Sequence, residues 1–274
     1  DPTAVPCSGS LLLIDGYLTR APRLLTASTV TVARVSLGGH QPVSLTADGA
    51  LTVIGDLHII PNGLLTHTAH PTTATTPLYA LHVTVSNDLF VAGAIDVNGK
   101  GYAADKGPGA GLFTQAAGGY GGAGGEWGTP GQGGKCYGSI TAPVDPGSGG
   151  DNGPGGGVIR LRVGGRTTVD GVISANGKDL TGSGAGSGGS VWIETGTLAG
   201  SGLVAADGGR GGAWNTWGYA HGGGGRVAVY LTDGEDCGGV EIRAISHRGV
   251  ASANHRGGGA GSVYLRTVWQ ERGV

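Results

Sequence analysis

Few residues in this sequence have types and spacings that could support chemistry. His67 and His70 stand three apart, a spacing that offers two imidazoles to a metal ion if the segment turns suitably. They fall in the Thr/Pro-rich stretch Thr66 to Pro77, with no cysteine or carboxylate beside them. They therefore read as a pair of surface-loop histidines and only a weak metal candidate. Hydrolysis of a glycosidic bond needs two positioned carboxylates. The one adjacent acidic pair, Glu235-Asp236, sits in the turn-like run Thr232 to Gly238 and reads as a solvated turn. No Gly-x-Ser-x-Gly nucleophile elbow occurs. Gly-x-Gly matches arise from composition, and none opens a helix that could cradle phosphate. Asp96, Asp170 and Asp207 follow strand-like runs, where Asp commonly caps its own backbone. No residue is assigned a catalytic role, and no metal or other cofactor is implied.

Aromatic side chains are the more suggestive feature. Trp214, Trp217, Tyr219 and His221 lie within eight residues, in a glycine-rich stretch, while Tyr120, Trp127 and Tyr137 decorate an earlier one. Exposed rings held on a rigid scaffold can stack on sugars or anchor a partner. Trp214, Trp217, Tyr219, His221, Tyr120 and Trp127 are therefore the candidate ligand-binding residues. The plainer alternative is that these rings pin glycine loops against the body of the protein. Cys7, Cys136 and Cys237 permit at most one intrachain disulfide, with the pairing open.

The elements that must carry these residues are strands. The sequence holds 61 glycines in 274 residues, about three times the usual share. Only 9 of them fall in residues 1–100. That first stretch contains β-branched runs such as Val30 to Leu37, Leu51 to Ile54, Leu57 to Ile60 and Leu81 to Val85, punctuated by glycine, proline and asparagine. Apolar residues at helical spacing are missing throughout. Beyond residue 150, four short strands each follow a glycine cluster, with Val158, Val191, Val227 and Val263 as anchors, 33, 36 and 36 apart. A fixed period of this size marks a solenoid or array, in which no unit buries its apolar face alone.

The fold expected is all-β, a parallel β-helix (solenoid) with long glycine-rich loops. Val158, Ile173, Val191, Ile193, Val227, Val229, Val263 and Leu265 are its inward columns. Glycine permits positive φ at corners and close backbone approach where it runs in tandem. A β-propeller is the main alternative, and a packed bundle of polyproline-II segments is an alternative for the glycine-rich excursions, including Gly118 to Gly125. The divisions expected within one continuous domain are an N-terminal segment 1–27, N-terminal rungs 28–100, a glycine-rich excursion 101–157, and glycine-rich repeats 158–274.

Gly188 to Gly209, together with Ala94 to Tyr102 and Leu64 to His70, resembles the glycine-rich repeat modules of large bacterial secreted and cell-surface proteins. The resemblance covers roughly residues 50–267. It implies an extracellular β-solenoid of surface or adhesive type, and brings no catalytic residues with it.

Composition narrows the function classes. Charged residues are 13% and the net charge is −2, which excludes a basic nucleic-acid binder. No apolar run reaches the roughly 18 residues of a membrane span. The chain begins at Asp1 and contains no methionine, as a processed protein or a piece of one would. Low charge and abundant Thr, Ser and Gly suit a secreted or cell-surface location. The function expected is a non-catalytic extracellular surface, adhesive or fibre-forming structural protein. Its partners are a second copy of itself or surface carbohydrate. The alternatives are a carbohydrate-active β-helix enzyme, a polysaccharide lyase or hydrolase, and a carbohydrate-binding module using the Trp214–Tyr219 loop.

Overall fold

The protein is described from a computed structural model. It describes residues 11–14, 23–24, 30–32, 34–39, 42–111, 116–127, 131–214, 217–218, 220–247 and 255–271. The short β-branched runs pack into a succession of sides that repeats as first, second and third sheet, the plan of a three-sided parallel β-helix. The first sheet stacks Leu11–Ile14, Arg34–Leu37, Leu57–Ile59, Leu89–Val91, Arg166–Val169 and Thr197–Ala199. The second stacks Arg23–Leu24, Val43–Ala47, Gly63–Thr66, Ala94–Asp96, Val172–Ser174, Leu203–Ala205 and Glu241–Arg243. The third stacks Val30–Val32, Leu51–Val53, Leu81–Val85, Val158–Val163, Ser190–Thr195, Arg226–Leu231 and Ser262–Arg266. Every neighbouring pair within these three sheets is parallel, so the propeller alternative is set aside. The one helix among the described residues, Val268–Glu271, is a single turn. No helix there is long and apolar enough to cross a membrane.

Period-two alternation explains the core. Leu51, Val83, Leu161, Ile193 and Val229 occupy one register position of the third sheet and are all buried. Leu45, Leu65, Ile95, Ile173 and Val204 form the matching column of the second. One inward assignment shifts by a residue. Ile159, not Val158, pairs with Val191, so the first repeat interval is one residue shorter than the valine anchors suggest. Val158 instead heads a column continued by Ser190, Arg226 and Ser262. At the last rung the column opens. Val263 is 48% exposed, although its counterparts Val191 and Val227 are fully buried.

The long excursions from Gly63 onward leave at one corner, between the second and third sheets: the Thr/Pro-rich residues 67–80 and the glycine-rich residues 97–157, 175–189, 206–225 and 244–261. From Leu57 to Ala205 the other two corners take only one to three residues. The excursions pack on each other through their backbones. Gly118, Gly119, Gly122, Gly124 and Gly125 donate to the carbonyls of Ala185, Gly109, Gly224, Gly134 and His221, at 2.8–2.9 Å. A strand in a sheet has two neighbours, whereas residues 118–125 bond to four different segments. The solenoid is thus the body, and the excursions form a backbone-bonded bundle on its flank. Positive φ is not what the bundle requires of its glycines: Gly118, Gly122, Gly188 and Gly223 all lack it. A Cβ on any of these would come closer than 3.0 Å to a neighbouring carbonyl oxygen. Close approach is the reason for glycine here.

Candidate functional site

The two histidines read as a surface-loop pair are interior. The strand Gly63–Thr66 turns the chain inward at the excursion corner, and His67 is 0% exposed. Its Nδ1 lies 2.7 Å from Thr68 O and its Nε2 accepts the Val158 N–H at 3.3 Å. The ring is therefore the neutral tautomer protonated on Nδ1, and burial holds its pKa down at about 4. His70 repeats the pattern. Its Nδ1 faces Lys100 O at 2.8 Å, and its Nε2 accepts the N–H groups of Leu78 and Tyr79 at 2.8 and 3.3 Å. Both lone pairs a metal would need already serve the backbone, which corrects the weak metal candidacy of His67 and His70. Lys100 Nζ closes the cluster on Thr66 Oγ1 and on His67 O, the latter at 2.8 Å. Among the described residues no group of three or more His, Cys, Asp or Glu could hold a metal ion.

The aromatic candidates separate. Tyr120 is 0% exposed and is not a stacking platform. Its hydroxyl bonds Ser190 Oγ at 2.7 Å, its ring lies 4.7 Å from that of Tyr137, and burial pushes its pKa up to about 12. Arg226 donates to Tyr137 O at 2.7 Å, so this knot fastens the bundle to the third sheet. Trp214 pairs with Trp217 across a tight antiparallel hairpin, Ala213–Trp214 with Trp217–Gly218. Trp127 pairs with His255 in a second short antiparallel ladder. The side chains of Trp127, Trp214 and Trp217, and the whole of Tyr219, lie outside the described residues. His221 is half-buried, and its Nδ1 accepts the Gly211 N–H at 3.0 Å. The Gly125 to His221 backbone bond joins the excursion of Trp127 to that of the hairpin. Cys136 is an exposed free thiol and Cys237 a half-buried one whose pKa burial raises, so these two are not bridged; Cys7 lies outside the described residues.

A surface that inspection of the sequence misses lies on the outer face of the third sheet. Register places His82, Arg160, Trp192, Ala228 and Tyr264 in one outward row, in which Ala228 is fully covered. Thr84, Arg162, Glu194, Tyr230 and Arg266 form the row beside it. The Arg160 guanidinium sits 4.2 Å over the Trp192 ring. Trp192 and Tyr230 are 6.2 Å apart by centroid, and Tyr230 and Tyr264 are 5.5 Å apart. Glu194 takes both arginines, Arg162 Nε at 2.7 Å and Arg160 Nη2 at 3.8 Å. A shallow depression of about 150 Å³ opens between His82, Thr84, Arg160 and Arg162. Residues 137–145 reach from the start of the Arg226–Leu231 strand towards its far end and back to the start of Ser190–Thr195: Arg226 Nη2 donates to Tyr137 O at 2.7 Å, the Tyr230 hydroxyl to Thr141 O at 2.6 Å and Ser190 Oγ to Asp145 O at 2.6 Å. This segment exposes Ile140 and Val144. The available signal was the alternate positions of Arg160-Leu-Arg162, Trp192-Ile-Glu194 and Tyr264-Leu-Arg266, the outward partners of the aliphatic columns.

Comparison of the chain with protein-family models, with curated proteins and with solved structures finds no match in any of the three.

Proposed function

We propose that the protein is a non-catalytic extracellular structural solenoid of surface or adhesive type, working through the faces that its rigid body presents. One observation carries this reading. Strongly shifted ionisable groups usually mark active sites, yet here His67, Tyr120 and Tyr137 are buried and bonded to structural partners. The burial that shifts them holds loops to the solenoid and does not line an open cleft. The repeat plan resembling bacterial surface modules points the same way. The test is incubation of the chain with soluble polysaccharides, following new reducing ends and the ultraviolet absorbance of unsaturated sugar products. No turnover is expected, and measurable chain cleavage would overturn the reading.

Self-association is the second reading, favoured by the open edge of the third sheet at Ser262–Arg266 and by the exposure of Val263 there. An unpaired edge with an apolar residue is a template for another strand. Light scattering across a wide concentration range tests it, with a mass that grows with concentration as the expected result. A Val263→Lys chain should remain at lower mass.

A further inference from the structure

We propose that the outer face of the third sheet binds a carboxylate-bearing polysaccharide, with a sugar carboxylate seated between His82, Thr84, Arg160 and Arg162 and the neighbouring sugars lying along Trp192, Tyr230 and Tyr264. This deepens the adhesive reading and rests on it only in requiring no cleavage.

Two observations carry the assignment. The first is charge. Arg160 and Arg162 share the single carboxylate of Glu194, so this end of the face keeps a net positive charge beside a depression. A planar guanidinium matches a carboxylate in a two-point fork, which a neutral sugar cannot offer. Arg162 is 61% exposed at its side chain and has donors left for an incoming anion.

The second is periodicity. Rungs of a parallel solenoid stand roughly 4.8 Å apart, and the rings of Trp192, Tyr230 and Tyr264 follow one another at 6.2 and 5.5 Å. A linear polymer laid along the solenoid axis meets one side chain of this ladder at each rung. Aromatic side chains offer apolar area with a polar edge, the combination that sugar rings pair with. Each of these residues stands on a strand or is fixed to one, so the face needs little ordering on binding.

The experiment is affinity electrophoresis and titration of the full chain with three probes: polygalacturonate, dextran sulfate and unmodified dextran. Binding to polygalacturonate that weakens with added salt, and markedly weaker binding to the other two, is expected. Arg162→Gln should weaken it by about tenfold or more, with an unchanged melting temperature because that side chain lies outside the core. Trp192→Ala should weaken it while Trp214→Ala leaves it unaltered. Equal binding of dextran sulfate, binding of neutral dextran, or an Arg162→Gln chain that binds like the parent would each overturn the proposal. Cleavage of polygalacturonate by a chain whose binding is lost in Arg162→Gln would keep the site and remove the non-catalytic reading. Absence of both binding and cleavage would do the reverse.

Discussion

Asn176 accepts the backbone N–H of Asp207 on its side-chain oxygen at 2.7 Å, one full turn of the solenoid away. The same bond recurs at the same corner in neighbouring turns. Asn98 accepts from Asn176 at 2.6 Å, Asp207 accepts from Ile245 at 2.9 Å, and Asp48 accepts from Thr68 at 2.6 Å. Elsewhere Asp170 reaches Ser201 N and Asp179 reaches Arg210 N in the same way. Of the three aspartates expected to cap their own backbone, only Asp96 does so, on Asn98 N at 2.7 Å; Asp170 and Asp207 bond the next rung. These side chains take over the ladder where the strand bonds stop. Asn176→Ala would leave the Asp207 N–H, on a buried residue, without its acceptor, and should cost about 1–2 kcal/mol. Urea melts with an unchanged slope would show it, and Asn176→Asp should restore most of the loss.

The aliphatic columns predict a sharper effect. Ile193 and Val229 are 0% exposed and stacked in register. An aspartate at either position buries a carboxylate with no partner, and the chain should fail to fold at 25 °C. Thr72→Asp, on an exposed loop, should leave the melting temperature within a few degrees. Similar losses at the two kinds of position would mean that the inward face has been misassigned.

What the sequence made legible is what repeats in side chains. Val191-x-Ile193, Val227-x-Val229 and Val263-x-Leu265 announce strands of one register, and the parallel solenoid follows from them. The slip at Val158-Ile159 arises because two adjacent β-branched residues fit either phase of the pleat, and only the neighbouring strand decides. His67 and His70 were illegible for a different reason. Their partners are the backbone groups of Val158, Lys100 and Leu78, which leave no mark in a sequence. Arg160, Trp192 and Tyr230 are ordinary surface residues until stacking places them in adjoining rows.

Glycine content makes a separate prediction. At Gly223 the backbone conformation is open to any residue, but a Cβ would collide with Gly122 O inside the bundle. Backbone cannot yield as a flexible side chain can, so Gly223→Ala should destabilise by about 3 kcal/mol. Gly259→Ala is the control. That glycine is exposed and its nearest neighbour, Ala123 N, would lie 3.2 Å away, so a loss below about 1 kcal/mol is expected. Equal losses would show that chain entropy, not close approach, sets the requirement for glycine.

Acid should weaken the protein through its buried imidazoles. His67 is held at a pKa of about 4 by burial, against 6.5 when the chain is unfolded. Between those values the unfolded chain binds the proton and the folded one does not, so stability falls as pH drops from about 6.5 to about 4. Below that window both states are protonated and the contribution is flat; above it the contribution is fully present. The shift corresponds to about 3 kcal/mol from His67 alone, and His70, lowered by the same cause, adds in the same direction. The physical conflict is local: a proton on Nε2 of His67 would face the N–H of Val158. Thermal melts at pH 7.5 and 4.5 should therefore differ by well over 5 °C. In His67→Asn the difference should narrow, because the group that titrates is gone while a donor and an acceptor remain. A melting temperature that ignores pH across this range would contradict the neutral, backbone-bound imidazole.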